Sequence, residues 1–255
     1  MDIILHGCGG RMGQVLSQII GETADTRVSA GVDVGACSGC GYPVFHTAAA
    51  SEVAGDVVID FSHYGAVREL LQGCVEKGIP VVIATTGLGE EEKRAIREAS
   101  QSIPVFHSAN MSIGINLLAK VIKGIAPTLE KDFHMEIIEK HHAMKKDSPS
   151  GTALLLADAV NGSLEEEKEL LFGRHGKDDE CLLSQMGIHA VRGGTIAGEH
   201  TVLFAGPDEI IELKHTALSR EVFARGALRA ARYLANMPRG LYSMEDMLSS
   251  KGQGE

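Results

Sequence analysis

The strongest constraint on the fold lies in the first twenty residues. Residues 2–6 form a short apolar run, Gly7-Cys8-Gly9-Gly10-Arg11-Met12-Gly13 follows at once, and residues 12–20 carry apolar side chains at helical spacing. Glycine permits the tight backbone reversal that takes a strand straight into a helix lying along its flank. The alternation then continues, with strands predicted over 27–33, 57–61, 81–84 and 103–107 and helices over 66–77 and 90–99. Parallel strands need crossover connections, and the crossing helices bury both faces of the sheet. Residues 1–112 therefore read as α/β, a doubly wound parallel-sheet domain.

The pattern changes after that. A helical segment over 113–125 leads into residues 132–140, then a polar loop, a helix over 149–160 and a charged stretch over 165–180. Three strand-like runs follow at 187–191, 201–205 and 209–215, separated by short turns. Such spacing predicts a mixed or antiparallel sheet, hence a second α+β domain. A last helix over 220–235 has an apolar stripe of Val222, Leu228 and Leu234 among alanines, which does not say which domain it covers.

Composition narrows the function classes. The 255 residues carry a formal charge of −10, which disfavours nucleic acid and anionic membranes as partners. No apolar run approaches the ~18 residues of a membrane span, and the N-terminus has no basic, long-apolar leader. A cytoplasmic protein is expected. Its five cysteines (Cys8, Cys37, Cys40, Cys74, Cys181) are an odd number and are expected as reduced thiols.

The glycine loop carries the first chemical signal. Amides at a helix start, together with the positive end of its dipole, favour a pyrophosphate. The spacing departs from G-x-G-x-x-G, since Met12 stands where the third glycine would fall and Gly13 comes one residue later. Asp33 closes the second strand 20 residues beyond Gly13, where a carboxylate accepts hydrogen bonds from adenosine ribose hydroxyls. Val34 offers no cation for a 2′-phosphate, although Arg11 does, so NADH is expected to be preferred and NADPH remains possible. Ala84-Thr85-Thr86 and Ser108-Ala109-Asn110-Met111 follow later strands, at the rim where the nicotinamide half of a cofactor would lie.

The second signal is residues 136–153. His141, His142, Lys145 and Lys146 form the one basic cluster of an acidic chain. Pro149 suits a first helical position with Ser148 as its cap, so the amides of Ser150, Gly151 and Thr152 would form an anion site together with His142 and Lys146. An imidazole titrates near neutrality, and a lysine among other cations readily gives up a proton, so His141 and Lys145 are the proton-transfer candidates.

The chain resembles the 4-hydroxy-tetrahydrodipicolinate reductase family over nearly its whole length. The resemblance rests on residues 7–13, Thr85-Thr86-Gly87, Ala109-Asn110 with Ser112, residues 139–153, Gly198-Glu199-His200 and Ser219-Arg220. It implies a Rossmann-like dinucleotide domain formed by residues 1–112 and 221–255. It also implies a substrate and oligomerisation domain over 113–220, and a homotetramer. The implied reaction is the NAD(P)H-dependent reduction of a cyclic hydroxy imino dicarboxylate with loss of water, in lysine biosynthesis via diaminopimelate. His141 and Lys145 would be catalytic, and His142, Gly151 and Thr152 would bind the substrate. Gly7, Cys8, Gly9, Gly10, Arg11, Met12, Asp33, Ala84, Thr85, Thr86, Ser108, Ala109, Asn110 and Met111 would hold the cofactor. Ala84 stands where the family usually has glycine, Met111 where many members have an aromatic residue, and Val34 where an arginine often follows the acid.

Two other readings remain open on the residues alone: a different two-domain nicotinamide oxidoreductase, and a non-catalytic dinucleotide sensor with an effector site at the basic cluster. Cys37-Ser38-Gly39-Cys40 has the spacing of half a zinc or redox motif, but no second pair exists, so two unpaired thiols and metal-free function are expected.

Overall fold

A computed structural model describes residues 1–35, 37, 39–47, 54–177 and 180–250. Residues 178–179 of the charged stretch and 251–255 of the terminal segment lie outside them. The chain divides into two compact units, Met1–Ser112 with Arg220–Glu255, and Ile113–Ser219.

The first unit holds β1 (Asp2–His6), β2 (Arg27–Val32), β3 (Val44–Phe45), β4 (Val57–Asp60), β5 (Val81–Ile83), β6 (Pro104–His107) and β12 (Gly240–Tyr242). These pair in parallel throughout, in the order β12-β6-β5-β4-β1-β2-β3. Helix α2 (Val67–Lys77) and helix α3 (Glu90–Ala99) pack with Ile4, Val58, Val81 and Ile83. Helix α1 (Arg11–Glu22) packs on α6 (Glu221–Leu234), which lies on β4, β5 and β6. All four residues of β4 are therefore buried, as a sheet covered on both faces requires. Chain order reverses between β1 and β4, and ligands of such sheets bind beyond the carboxyl ends of the strands at that point. Strands β3 and β12, two and three residues long, are too short to show a sequence period.

The second unit contains α4 (Ile113–Leu129), β7 (His134–His141), α5 (Gly151–Asn161), β8 (Glu169–Leu171), β9 (Gln185–Arg192), β10 (Gly198–Ala205), β11 (Ile210–Ala217) and no further strand among the described residues. Its sheet order is β11-β10-β7-β9-β8. Strand β10 runs antiparallel to β7 and β11, while β9 runs parallel to β7 and β8, so the sheet is mixed. Strict alternation along β7 buries Met135, Ile137, Glu139 and His141 on one face. Helices α4 and α5 supply Ile122, Ala126, Leu156 and Val160 to the core on that face. Helix α5 begins at Gly151 with Ser150 as its N-cap, two residues later than expected. The hydroxyl of Ser150 accepts the Ala153 amide, so the capping role falls to Ser150 rather than Ser148, and Pro149 precedes the helix.

Candidate functional site

In the first unit the conformational demand of the glycine loop falls on two residues. Gly7 has φ +80°, and a Cβ there would stand 2.6 Å from the Phe61 carbonyl oxygen. A Cβ on Gly13 would stand 2.2 Å from the Gly7 carbonyl oxygen. The third glycine of the motif, which lets the helix close onto the strand, is thus Gly13, and the spacing that looked irregular is Gly7-x-x-Gly10-x-x-Gly13. Gly10 caps α1 with no side-chain hydrogen bond, leaving the helix start open to an anion. Asp33 accepts the Gly9 amide at 2.8 Å and the Gly35 amide at 2.8 Å, which fixes its carboxylate beside the loop. A carboxylate has about four acceptor positions, so capacity remains for ribose hydroxyls. Val34 beside it is 90% exposed. The cradle fits a dinucleotide.

The rim residues divide by burial. Thr86 and Ala109 are exposed, while Ala84, Thr85, Ser108, Asn110 and Met111 are buried. Thr85 accepts the Ser62 amide at 3.0 Å, Ser108 donates to the Asn110 carbonyl at 2.8 Å, and the Asn110 side chain accepts the Ser112 amide at 2.8 Å. Their polar groups shape the loops. Below the loop, His6 Nδ1 lies 2.7 Å from a carboxylate oxygen of the fully buried Asp60, a pairing not expected from the sequence.

In the second unit β7 delivers Glu139 and His141 to the same face, and Glu139 is the hub. Its Oε2 lies 2.6 Å from His141 Nδ1, and its Oε1 accepts the Ser150 amide at 2.9 Å. Arg192, opposite His141 on β9, donates to both oxygens at 2.7 Å and also to the Asp147 carbonyl. The Ser150 amide therefore turns inward, contrary to its expected place in an outward anion site. Its hydroxyl lies 2.9 Å from His200 Nε2, and the His200 ring meets His141 edge-on at 5.0 Å. Gly151, exposed, opens the first turn of α5 next to Thr152, and of the three expected amides Ser150 is the one turned to Glu139. Lys145 pairs with Asp147 at 2.8 Å, His142 is half-buried and Lys146 is exposed.

Electrostatics follows from this packing. Burial opposes ionisation of Glu139, but the hydrogen bonds from Arg192, His141 and Ser150 outweigh it and hold the carboxyl below its usual range. Burial pushes His141 down, only partly offset by Glu139. Burial, with His141 next, lowers His200 to about 4. With Glu139 ionised, His141 directs Nδ1–H at it and keeps Nε2 for other chemistry. A Cβ on Gly198 would lie 3.1 Å from that Nε2, so glycine there leaves it room. Glu139, Arg192, Asp147 and Gly198 were not singled out as site residues. The two-residue step from Glu139 to His141 was a readable signal, whereas Arg192 depends on a strand register that no local pattern reveals.

The cysteines depart from expectation. Cys37 and Cys40 are joined as a disulfide with Cα atoms 5.9 Å apart, because the loop after β2 brings them within ordinary bridging range. Cys8, Cys74 and Cys181 are free.

Comparison with known proteins matches residues 1–111 to the family model described as dihydrodipicolinate reductase, N-terminus, and residues 114–248 to its C-terminus counterpart. The 4-hydroxy-tetrahydrodipicolinate reductase of Caldanaerobacter subterraneus subsp. tengcongensis is 50% identical over 246 residues, 96% of this chain and 97% of that one. That of Clostridium tetani is 48% identical over 97% of each chain. Among solved structures, dipicolinate-bound dihydrodipicolinate reductase from Paenisporosarcina sp. TG-14 superposes with a TM-score of 0.77 at 22% identity, over 95% of this chain and 97% of that one. An Agrobacterium radiobacter oxidoreductase in complex with NAD+, L-tartaric acid and magnesium shares the fold, with a TM-score of 0.59 at 13% identity, over 97% and 92%.

Proposed function

The chain belongs to the dihydrodipicolinate reductase family and is an oxidoreductase of the diaminopimelate route to lysine; on that premise we propose which of its residues do the work. The single observation that supports the assignment is the Arg192–Glu139–His141 chain beside Lys145 and the start of α5.

The reaction reduces 4-hydroxy-2,3,4,5-tetrahydrodipicolinate to tetrahydrodipicolinate with loss of water. A bound reduced nicotinamide supplies the hydride. The glycine loop of residues 7–13 and Asp33 hold that cofactor, with Thr86 and Ala109 the exposed residues of the two rim loops. NADH is the preferred form, because exposed Val34 offers a 2′-phosphate no cation, and NADPH binds through Arg11 alone.

The substrate is a dicarboxylate. The amides of Gly151 and Thr152 at the positive end of α5, with His142 and Lys146, bind its carboxylates. Negative charge left on the enamine carbon needs a proton, and Lys145 Nζ donates it. His141, neutral in the free protein at neutral pH, uses Nε2 to accept and return a proton. Two substrate carboxylates brought nearby raise its proton affinity, so substrate binding itself charges the imidazole. Glu139 fixes the tautomer and Arg192 fixes Glu139.

In a coupled assay with freshly made substrate and NADH, His141→Gln and Lys145→Ala each lower kcat by about 100-fold or more, as loss of a general acid does. The NADH dissociation constant stays within about twofold in both. Normal turnover in either variant contradicts its role. Pyridine-2,6-dicarboxylate, a planar mimic, inhibits competitively against the substrate, and failure to bind favours another oxidoreductase.

The assembly is a homotetramer formed through the sheet of the second unit. Helices α4 and α5 cover one face, and the other carries Val191 at 45% and Ile210 at 65% exposure, with Ile138 and Leu203 between them. Light scattering reads four chains for the parent and fewer for Leu203→Glu. The protein works in the cytoplasm, where the pyridine nucleotide pool is.

A further inference from the structure

Three of the five cysteines meet where their sulfurs have no part in the reduction, although Cys8 belongs to the glycine loop that holds the cofactor. Cys8 projects from the glycine loop and is 0% exposed. It occupies the space a side chain at residue 31 would need, since a Cβ on Gly31 would stand 2.6 Å from Cys8 Sγ. Cys37 and Cys40, which follow β2 in the chain, are half-buried. All three sulfurs lie within 4.8 Å of one another, and no other group of three such ligands among the described residues does so. They stand on the wall of a cavity of about 530 Å³ that also includes Gln14, Ser17 and Tyr42.

We propose that reduction of the Cys37–Cys40 disulfide converts Cys8, Cys37 and Cys40 into a three-thiolate site for one soft divalent cation of the zinc class. Zinc–sulfur bonds of about 2.3 Å in tetrahedral geometry set sulfurs about 3.8 Å apart, so Cys8 closes by about 1 Å at most while the Cys37 and Cys40 sulfurs, once reduced, separate by about 2 Å. A C-x-x-C pair alone is half a site, and Cys8 supplies the third ligand from a distant part of the sequence. The fourth position faces the cavity and takes water. Burial, followed by the nearby Asp33 charge, pushes the Cys8 thiol up in the absence of an ion. A coordinated cation reverses that preference and deprotonates the thiol. The chemistry balances with a phosphine reductant. The phosphine and one water convert the S–S bond into two thiols, the phosphine leaves as its oxide, and the ion then displaces the three thiol protons to buffer.

The test uses the full chain, reduced with a phosphine, freed of reductant without air, and titrated with Co2+ and then Zn2+. One equivalent of cobalt is expected, with an intense sulfur-to-metal absorption in the near ultraviolet and the visible bands of a tetrahedral ion, both lost when zinc displaces it. Cys8→Ala and the Cys37→Ser/Cys40→Ser double variant each weaken binding at least 100-fold. Cys181→Ser keeps it, although Cys181 Sγ lies 3.4 Å from His134 Nδ1 and is the rival thiol. Absence of stoichiometric binding to the reduced chain overturns the proposal, as does a cobalt spectrum without the sulfur band. Full affinity in the double variant also overturns it, and that variant decides the matter if Cys8→Ala fails to fold.

Discussion

Glu139 has no solvent exposure and yet carries a charge, and three donors make that tolerable: Arg192, His141 and the Ser150 amide. Its carboxylate raises the proton affinity of His141, so Glu139→Gln lowers the imidazole pKa further. The acid limb of the pH profile of kcat/KM then moves to lower pH while NADH affinity is unchanged, and an unmoved limb contradicts the coupling. His200 has the opposite kind of consequence, for stability. Its pKa is depressed from 6.5 to about 4 by burial, so the folded state binds its proton less readily than the unfolded chain. Its contribution is therefore complete above about pH 6.5 and is lost as pH falls toward 4. The linkage amounts to about 3 kcal/mol across that window. Urea unfolding at pH 7 and pH 4.5 should show a smaller difference for His200→Gln than for the parent protein. The residues that make up this network were partly readable. His141 and Lys145 announce themselves in a basic cluster, whereas Arg192 lies 51 positions beyond His141 and is opposite it only because β9 pairs with β7 in that register.

At the scale of elements, the join between β1 and α1 bears the tightest tolerance. Gly13→Ala places a methyl 2.2 Å from the Gly7 carbonyl oxygen, which neither element can accommodate without shifting. Overpacking of this kind costs about 1–3 kcal/mol, occasionally more. The variant is expected to lower the melting temperature and weaken NADH binding by about tenfold or more, measured by fluorescence titration. Gly10→Ala, whose methyl would lie 3.3 Å from the same oxygen, is expected to perturb both far less. Five of the seven strands of the first sheet were legible because buried parallel strands are continuous runs of β-branched residues. The other two, β3 and β12, take their place from neighbours rather than from their own pattern. Helix α5 was legible in its body but not in its start, since Ser150 outcompetes Ser148 as the cap by also satisfying Glu139.

The first unit is assembled from both ends of the chain. Helix α6 buries Ala224, Ala227, Ala230, Ala231 and Leu234 completely, and β12 pairs in parallel with β6 at the sheet margin. Periodicity alone does not assign that helix, because its stripe of alanines fits any apolar surface; the family resemblance implies the first domain, and the helix packs on β4, β5 and β6. Gly226 shows how close the fit is, since a Cβ there would come 1.7 Å from the Met111 carbonyl oxygen. During synthesis the ribosome must therefore release the entire second unit before the first can close. Until then β6 remains an unprotected sticky edge, and a nascent chain stalled near residue 219 should be bound by chaperones and cut readily by protease between residues 57 and 107.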